Sequence, residues 1–346
     1  MKFERLAATV CSLLVLGSGA AAAVDVAVEK PLAVVDRFSP GGDTGWDLLA
    51  YDSGSNRLFV SRGKHVQVLD GQSGKLIGDI TGTEGVHGIA IAPDAGKGFT
   101  SNGKTNSVTV FDLPGLKVLK QIPLAGRKPD TILYDPASHH VLVFNGDSNN
   151  VSVIDPIKEA EIATIPLPGQ PELAAVDGQG HAYVNLEDKG QVVALDVVHD
   201  KVDAVWPLGD CEGPTGLALD AGHHRSFSAC QNHKMVVLDT SSGKVVASLP
   251  IGEHPDGAAF DPGLGLVYSP NGEGTLTVIK EQDPDHFSVA ATVVTQKSAR
   301  TIVLDPASHR LFLPVAEFGT PATATPDQPH PRPPVIPGSF RILVVR

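Results

Sequence analysis

Apolar and polar positions alternate in short bursts along this chain, and no long segment keeps the 3.6-residue period of a helix. From Val141 to Pro156 the sequence reads VLVFNGDSNNVSVIDP: a β-branched run, a polar turn carrying Asn-Gly, and a second run ending on aspartate. Two such runs around an Asn-Gly turn predict a β-hairpin. The same arrangement returns again and again, and most of the chain divides into copies of it.

The copies align on one apolar block. It reads WDLLAYD at Trp46, VHGIAIA at Val86, PDTILYD at Pro129, PELAAVD at Pro171, PTGLALD at Pro214, PDGAAFD at Pro255 and ARTIVLD at Ala299. Successive blocks lie about 40 to 44 residues apart, within the period of a four-stranded propeller blade. Each block leads through a polar turn to a second strand, such as RLFVS at Arg57 or RLFLP at Arg310. A hairpin and a third strand (SVTVFD, QVVALD) follow, and in most copies a fourth (KVLKQIPL, KVVASLPI). The expected fold is therefore all-β: a seven-bladed β-propeller of four-stranded antiparallel blades. One twisted sheet cannot bury both faces, whereas a ring of sheets packed face to face can. The near-continuous apolar runs IAIA, TILY and GLAL suit innermost strands buried on both sides.

The two ends of the chain complement each other. Residues 32–39, LAVVDRFS, resemble a fourth strand without its first three, and the last copy is short of one strand. The expectation is that the N-terminal strand closes the last blade and removes an open sheet edge. Residues 319–338, GTPATATPDQPHPRPPVIPG, form a Pro-rich loop inserted in that blade. Such a segment is extended or irregular. It falls on the rim where the inner strands start, as a lid, a docking arm or a tolerated surface insertion.

Composition narrows the setting. Gly 36 and Pro 27 fit a turn-rich protein. Residues 1–23 carry Lys2 and Arg5, then an apolar run from Leu6 to Leu16, then small residues up to Ala23. This is the pattern of a cleaved signal peptide, leaving residues 24–346 as the propeller domain in the periplasm or outside the cell. The apolar run is short for a membrane span. Cleavage leaves 25 basic and 38 acidic residues, a net charge of −13. That balance argues against nucleic acid as a partner. Two cysteines then remain, Cys211 and Cys230, at strand ends that meet at one rim; a disulfide suits an oxidising compartment, with two free thiols as the alternative.

The second position of each block would ring the mouth of the central channel: Asp47, His87, Asp130, Glu172, Thr215, Asp256 and Arg300. These are the candidate ligand-binding residues. Ring closure sets Arg300 between Asp256 and Asp47, a structural charge pairing. Asp130 and Glu172 sit on adjacent blades with no basic neighbour in the ring. Two close carboxylates raise one pKa or recruit a divalent cation, here Ca²⁺ or Mg²⁺. His65, His233 and His254 are further histidines placed near this rim. A solvated acidic funnel is the plainer alternative. The aspartates after the inner strands, such as Asp135 and Asp220, and after the third strands, such as Asp155 and Asp196, recur too often for an active site and fit turn closure. The pairs His139-His140 and His223-His224 lie in turns at the opposite rim, and adjacent strand residues point to opposite faces, so each makes a poor ligand pair. Haem-attachment, nucleophile-elbow, P-loop and zinc-protease motifs are missing, as is the GH…WD signature of WD40 repeats.

The segments VFNGDSNNVSVID, TSNGKTNSVTVFD and YSPNGEGTLTVIK resemble the YVTN/YncE-type β-propeller family, and the resemblance extends over about residues 32 to 346. It implies the propeller fold and no single activity, because such propellers serve as binders, enzymes and scaffolds. The leading expectation is a secreted or periplasmic propeller that binds a partner protein or small ligand at the acidic mouth. The alternative is a metal-assisted hydrolase or lyase, lactonase-like, using the same mouth. A scaffold working through the blade sides is a third. No residue stands out as a catalytic nucleophile or general base.

Overall fold

A computed structural model describes residues 31–323, 331 and 333–346. The segment assigned to a signal peptide lies outside the described residues, as does part of the Pro-rich loop. β1 (Val34–Phe38) is followed by β2 (Leu49–Asp52), β3 (Arg57–Ser61), β4 (Gly63–Asp70), β5 (Leu76–Ala92), β6 (Lys97–Asn102), β7 (Ser107–Asp112) and β8 (Val118–Pro123). Strands β2 to β8 pair in chain order as one seven-stranded sheet. Four sheets of four successive strands follow. They are β9 (Pro129–Asp135), β10 (His140–Asn145), β11 (Asn150–Asp155) and β12 (Ala160–Pro166); then β13 (Pro171–Val176), β14 (His181–Leu186), β15 (Gln191–Asp196) and β16 (Lys201–Pro207). Next come β17 (Pro214–Asp220), β18 (Arg225–Cys230), β19 (Lys234–Asp239) and β20 (Lys244–Pro250), and then β21 (Ala259–Asp261), β22 (Leu266–Asn271), β23 (Thr275–Asp283) and β24 (His286–Val294). The last sheet runs β1-β27-β26-β25, with β25 (Val303–Asp305), β26 (Arg310–Val315) and β27 (Arg341–Val345).

The all-β propeller stands, with no helix among the described residues, but the count of seven four-stranded blades does not. Five four-stranded blades accompany one continuous seven-stranded sheet. The cause is β5, a single strand of 17 residues. Its first part pairs with β4 (Val66 opposite Ile80) and its last part with β6 (Ile89 opposite Thr100). At four later crossings the outgoing strand ends on proline and another proline opens the next block: Pro123 and Pro129, Pro166 and Pro171, Pro207 and Pro214, Pro250 and Pro255. Proline cannot donate to a ladder and ends it. The stretch TGTEGVHG inside β5 has none; Gly82 and Gly85 bend it at positive φ (75° and 71°), and Gly63 of β4 pairs with Val86 beyond the bend, so the ladder bridges what the repeat pattern separates.

The core lies between the sheets. Leu142, Phe144, Val151 and Val153 pack on Val184, Leu186, Val193 and Leu195 of the next sheet, all buried. Burying each such side chain contributes roughly 1.5–3 kcal/mol. At the hub the inner strands approach backbone to backbone. A Cβ on Gly216 would lie 2.4 Å from the Gly257 carbonyl carbon, so only glycine fits there. The turns are closed by side chains: Asp52, Asp135, Asp220 and Asp305 accept backbone N–H bonds from residues two or three ahead. Asp70, Asp155 and Asp196 do the same after third strands.

β1 lies antiparallel to β27, with Val34 opposite Val345 and Phe38 opposite Ile342. Phe38 is buried, its ring 6.0 Å from that of Phe312. The ring also closes at the hub, where Thr301 Oγ1 donates to the Asp47 carbonyl at 2.9 Å. Cys211 and Cys230 are disulfide-bonded across 19 residues of chain.

Two outcomes follow. Removing Val34–Phe38 is expected to lower the stability of a single cooperative transition by at least about 3 kcal/mol, the cost of losing a buried phenylalanine alone; calorimetry that instead separates a weakened part from an unchanged remainder would count against ring closure as the source. Reducing Cys211–Cys230, read by urea denaturation with and without dithiothreitol, is expected to cost about 3 kcal/mol for a loop of this length.

Candidate functional site

The inner strands deliver their opening residues to one place. Asp47 just precedes β2, His87 lies within β5, Asp130 and Glu172 are second in β9 and β13, and Asp256 and Arg300 precede β21 and β25. These six line a cavity of about 590 Å³. Thr215 is not among them. It is buried, and its Oγ1 donates to the Pro255 carbonyl at 2.9 Å. That hydroxyl does for its neighbour what Thr301 does for Asp47, and Ser101 for the carbonyl of Asp130. A threonine at the block's second position thus ties inner strands together instead of facing the cavity.

The supports of the site are themselves fixed. Arg62 is fully buried and donates to the carbonyls of Gly41, Gly42 and Thr44, each at 3.0 Å. Its guanidinium lies 3.6 Å above the Phe340 ring. This clamp holds the loop that delivers Trp46 and Asp47. Asp47 N–H donates to Ser61 Oγ at 2.9 Å. His87 packs against Gly103, where any Cβ would come within 2.7 Å of its Nε2.

Burial and charge then set the protonation. His87 Nδ1 lies 2.5 Å from Asp47 Oδ2 and 3.6 Å from Asp130 Oδ1. Burial opposes the imidazolium, but the bond to Asp47 and the Asp130 and Asp47 charges outweigh it and raise the His87 pKa. Burial pushes Asp130 up to about 6, with His87 pulling it down and Asp47 adding to the rise. Asp256 is likewise raised to about 6 by burial, although Arg300 Nε sits 3.3 Å from its Oδ2. Glu172 moves furthest, to about 9, through burial first and then the charges of Asp130 and Asp256. Close acids without enough counter-charge keep protons rather than ionise together.

The cavity also holds cations that the register of the inner strands does not reveal. Lys104 and Lys128 line it. Lys104 comes from the Asn-Gly-Lys hairpin between β6 and β7; Lys128 stands two residues before Asp130, in a left-handed conformation (φ 55°). Lys128 acts on both Asp130 and His87, so Asp130 does have a basic neighbour. A lysine just ahead of an inner-strand proline was the available signal. His65, His233 and His254 are not part of the lining among the described residues; His65 is taken up by Asp79 at 2.6 Å. Ligand atoms of Asp47, His87 and Asp130 all lie within 4.8 Å of one another, whereas Glu172 is outside that set. One imidazole and two carboxylates favour a transition-metal dication over Ca²⁺ or Mg²⁺, which prefer oxygen throughout.

Beside this cavity is a second of about 460 Å³, lined by Trp46, Ser298, Arg300, Phe318, Pro333 and Val335. The Trp46 and Phe318 rings are 5.9 Å apart, and Phe318 bridges to Val335. The described part of the Pro-rich loop therefore flanks the acidic mouth with an apolar wall.

No family model matches the chain. Among curated proteins, Antigen Lp49 of Leptospira interrogans (serogroup Icterohaemorrhagiae, serovar copenhageni, strain Fiocruz L1-130) is 27% identical over 186 residues, which is 51% of this chain and 40% of that protein. The chain thus spans well under two thirds of that relative's length. Among solved structures, the WD40 repeats of RRP9 superpose with a TM-score of 0.77 at 10% identity, covering 91% of this chain and 98% of that one. The structure of U3-55K gives 0.75 at 11% identity, covering 90% and 99%. The fold is that of WD40-type β-propellers, reached here without their sequence signature.

The protonation of Glu172 has a measurable sign. Between the ordinary carboxylate range and about 9, the folded protein holds a proton on Glu172 that the unfolded chain releases. The stability contributed by this group therefore falls as pH rises through that window. The midpoint of thermal unfolding is expected to drop more steeply from about pH 6 to about pH 9 in the natural protein than in Glu172→Gln. Equal slopes by calorimetry would mean that the carboxyl is already ionised at neutral pH.

Proposed function

We propose that this chain is a binding propeller, exported to the periplasm or beyond, that takes a small cationic ligand or a basic side chain of a partner protein into the acidic hub. One observation carries the reading: Asp130, Glu172 and Asp256 face a single cavity with their pKa values pushed up by burial. A positive group placed among them lets all three ionise, so binding relieves a desolvation cost already built into the protein. The aromatic wall of Trp46 and Phe318 supports it, since aromatic faces attract organic cations. The N-terminal pattern of residues 1–23 and the Cys211–Cys230 bond support export. The resemblance to YVTN/YncE-type propellers agrees with a binding role.

Titration calorimetry with a panel of mono- and diamines and Lys- or Arg-containing peptides tests this. Binding is expected to release protons, visible as a dependence of the heat on the buffer's ionisation enthalpy, and to tighten as pH rises. Asp130→Asn with Glu172→Gln is expected to weaken it by at least about tenfold, or 1.4 kcal/mol. Absence of binding across the panel, or affinity unchanged in the double variant, would sink the proposal.

A second reading rests on Asp47, His87 and Asp130, whose spacing suits a divalent metal that activates water for a lactonase-like hydrolysis or lyase step. Turnover of lactone or phosphodiester substrates that EDTA abolishes and Zn²⁺ restores would favour it over simple binding.

A further inference from the structure

The end of the propeller opposite the acidic mouth carries a cluster of its own. Asp220 closes β17, five residues beyond Thr215 and so about 17 Å further along the strand. His223 lies in the turn that follows, and Glu281 stands on β23 of the neighbouring sheet. His223 Nδ1 is 2.6 Å from Asp220 Oδ2 and 3.3 Å from Glu281 Oε1, and ligand atoms of all three residues lie within 4.8 Å of one another.

Glu281 makes this more than an acidic patch. Its side chain is only 3% exposed, and neither carboxyl oxygen has a well-formed hydrogen bond; its polar contacts are with Asp220 and His223 of the same cluster. Nδ1 of His223 carries at most one proton, and Asp220 is the nearer acceptor. The cation next door, Arg225, is spent on the carbonyls of Pro284, His223 and His224 and on Asp285 and Asp239. Lys280 donates to the Leu264 carbonyl. A buried carboxylate without a well-formed hydrogen bond is costly, and such groups persist where they meet a charge.

The repeat shows how unusual the position is. The backbone bond that Glu281 N–H gives to Gly265 recurs at Gly71, Leu113, Val197 and Thr240, none of them acidic. His223 itself follows a habit of the chain, since an imidazole Nδ1 also meets the turn aspartates Asp94, Asp177 and Asp261, from His139, His181 and His309. What sets the Asp220 turn apart is the buried carboxyl of Glu281, brought to the same imidazole by the neighbouring sheet.

We propose that Asp220, His223 and Glu281 bind a divalent transition metal such as Zn²⁺, which joins two neighbouring sheets at the rim opposite the mouth. Two carboxylates and one imidazole form an adequate three-ligand set, and the exposed face of His223 leaves the remaining coordination to water. In this setting the ion supplies the positive charge that Glu281 lacks. The ring pattern of the sequence conceals the site, because His223-His224 is a poor pair by itself and Glu281 lies 58 residues further on.

The full-length mature protein, free of any histidine tag and dialysed against EDTA, would be titrated with Zn²⁺ by calorimetry and with Co²⁺ by visible absorption. Glu281→Val copies the residue found at Val197 and should fold; His223→Ala, in an exposed turn, is the second variant. Both are expected to lose one bound ion per chain, or to weaken its affinity by more than about tenfold, with loss of a Co²⁺ band. Asp130→Asn, at the far end of the hub, is expected to leave that ion in place. The proposal fails if the natural protein binds no Zn²⁺, or if Glu281→Val and His223→Ala bind it as the natural protein does. It fails equally if Asp130→Asn alone removes it.

Discussion

Everything in this molecule depends on sheets burying each other's faces around a closed ring. No single four-stranded sheet here has a core of its own; the buried Leu, Val and Phe side chains lie between sheets. An open ring would expose two such faces and a row of unpaired backbone groups. Closure is made twice, at the outer edge by β1 on β27 and at the hub by Thr301 on Asp47. The glycines at the hub, Gly216 against Gly257 above all, show how near the inner strands must come for the sheets to meet.

The same closeness creates the chemistry of the mouth. Inner strands that almost touch bring their opening side chains together from parts of the chain far apart in sequence. Acids that would be unremarkable on separate surfaces are then partly dehydrated and within each other's field, and they hold protons. Glu172 shows the effect most strongly, having neither the arginine that serves Asp256 nor the imidazole that serves Asp130. At the far rim, Glu281 repeats the problem on a smaller scale, a carboxyl where the other repeats place neutral side chains.

The repeat, the strand order within each copy and the role of the turn aspartates were legible in the chain, because a period of about 40 residues and an Asp closing each run are local signals. So was the set of residues at the mouth, with one exception. Thr215 shares its position in the block with Asp130 and Glu172, but its short hydroxyl reaches the neighbouring carbonyl and never the cavity. Lys104 and Lys128 were missed for the opposite reason. They lie in loops outside the block, and only the curl of those loops carries them over the mouth. The number of separate sheets was not legible, because β5 carries its ladder across one crossing through a local pairing, Gly63 opposite Val86, that the repeat as a whole does not register.

The amino-acid sequence by itself determined that the chain is made of short strands, that they come in like groups, and that acids stand at the opening of most inner strands. These follow from alternation, turn chemistry and spacing, which act over a few residues at a time. The tertiary structure alone decided how many sheets result, which acids share a proton or a cation, and that Glu281 meets His223 and Asp220. Those outcomes depend on distances between segments that only packing brings together, and on burial, which no residue possesses until its neighbours are in place.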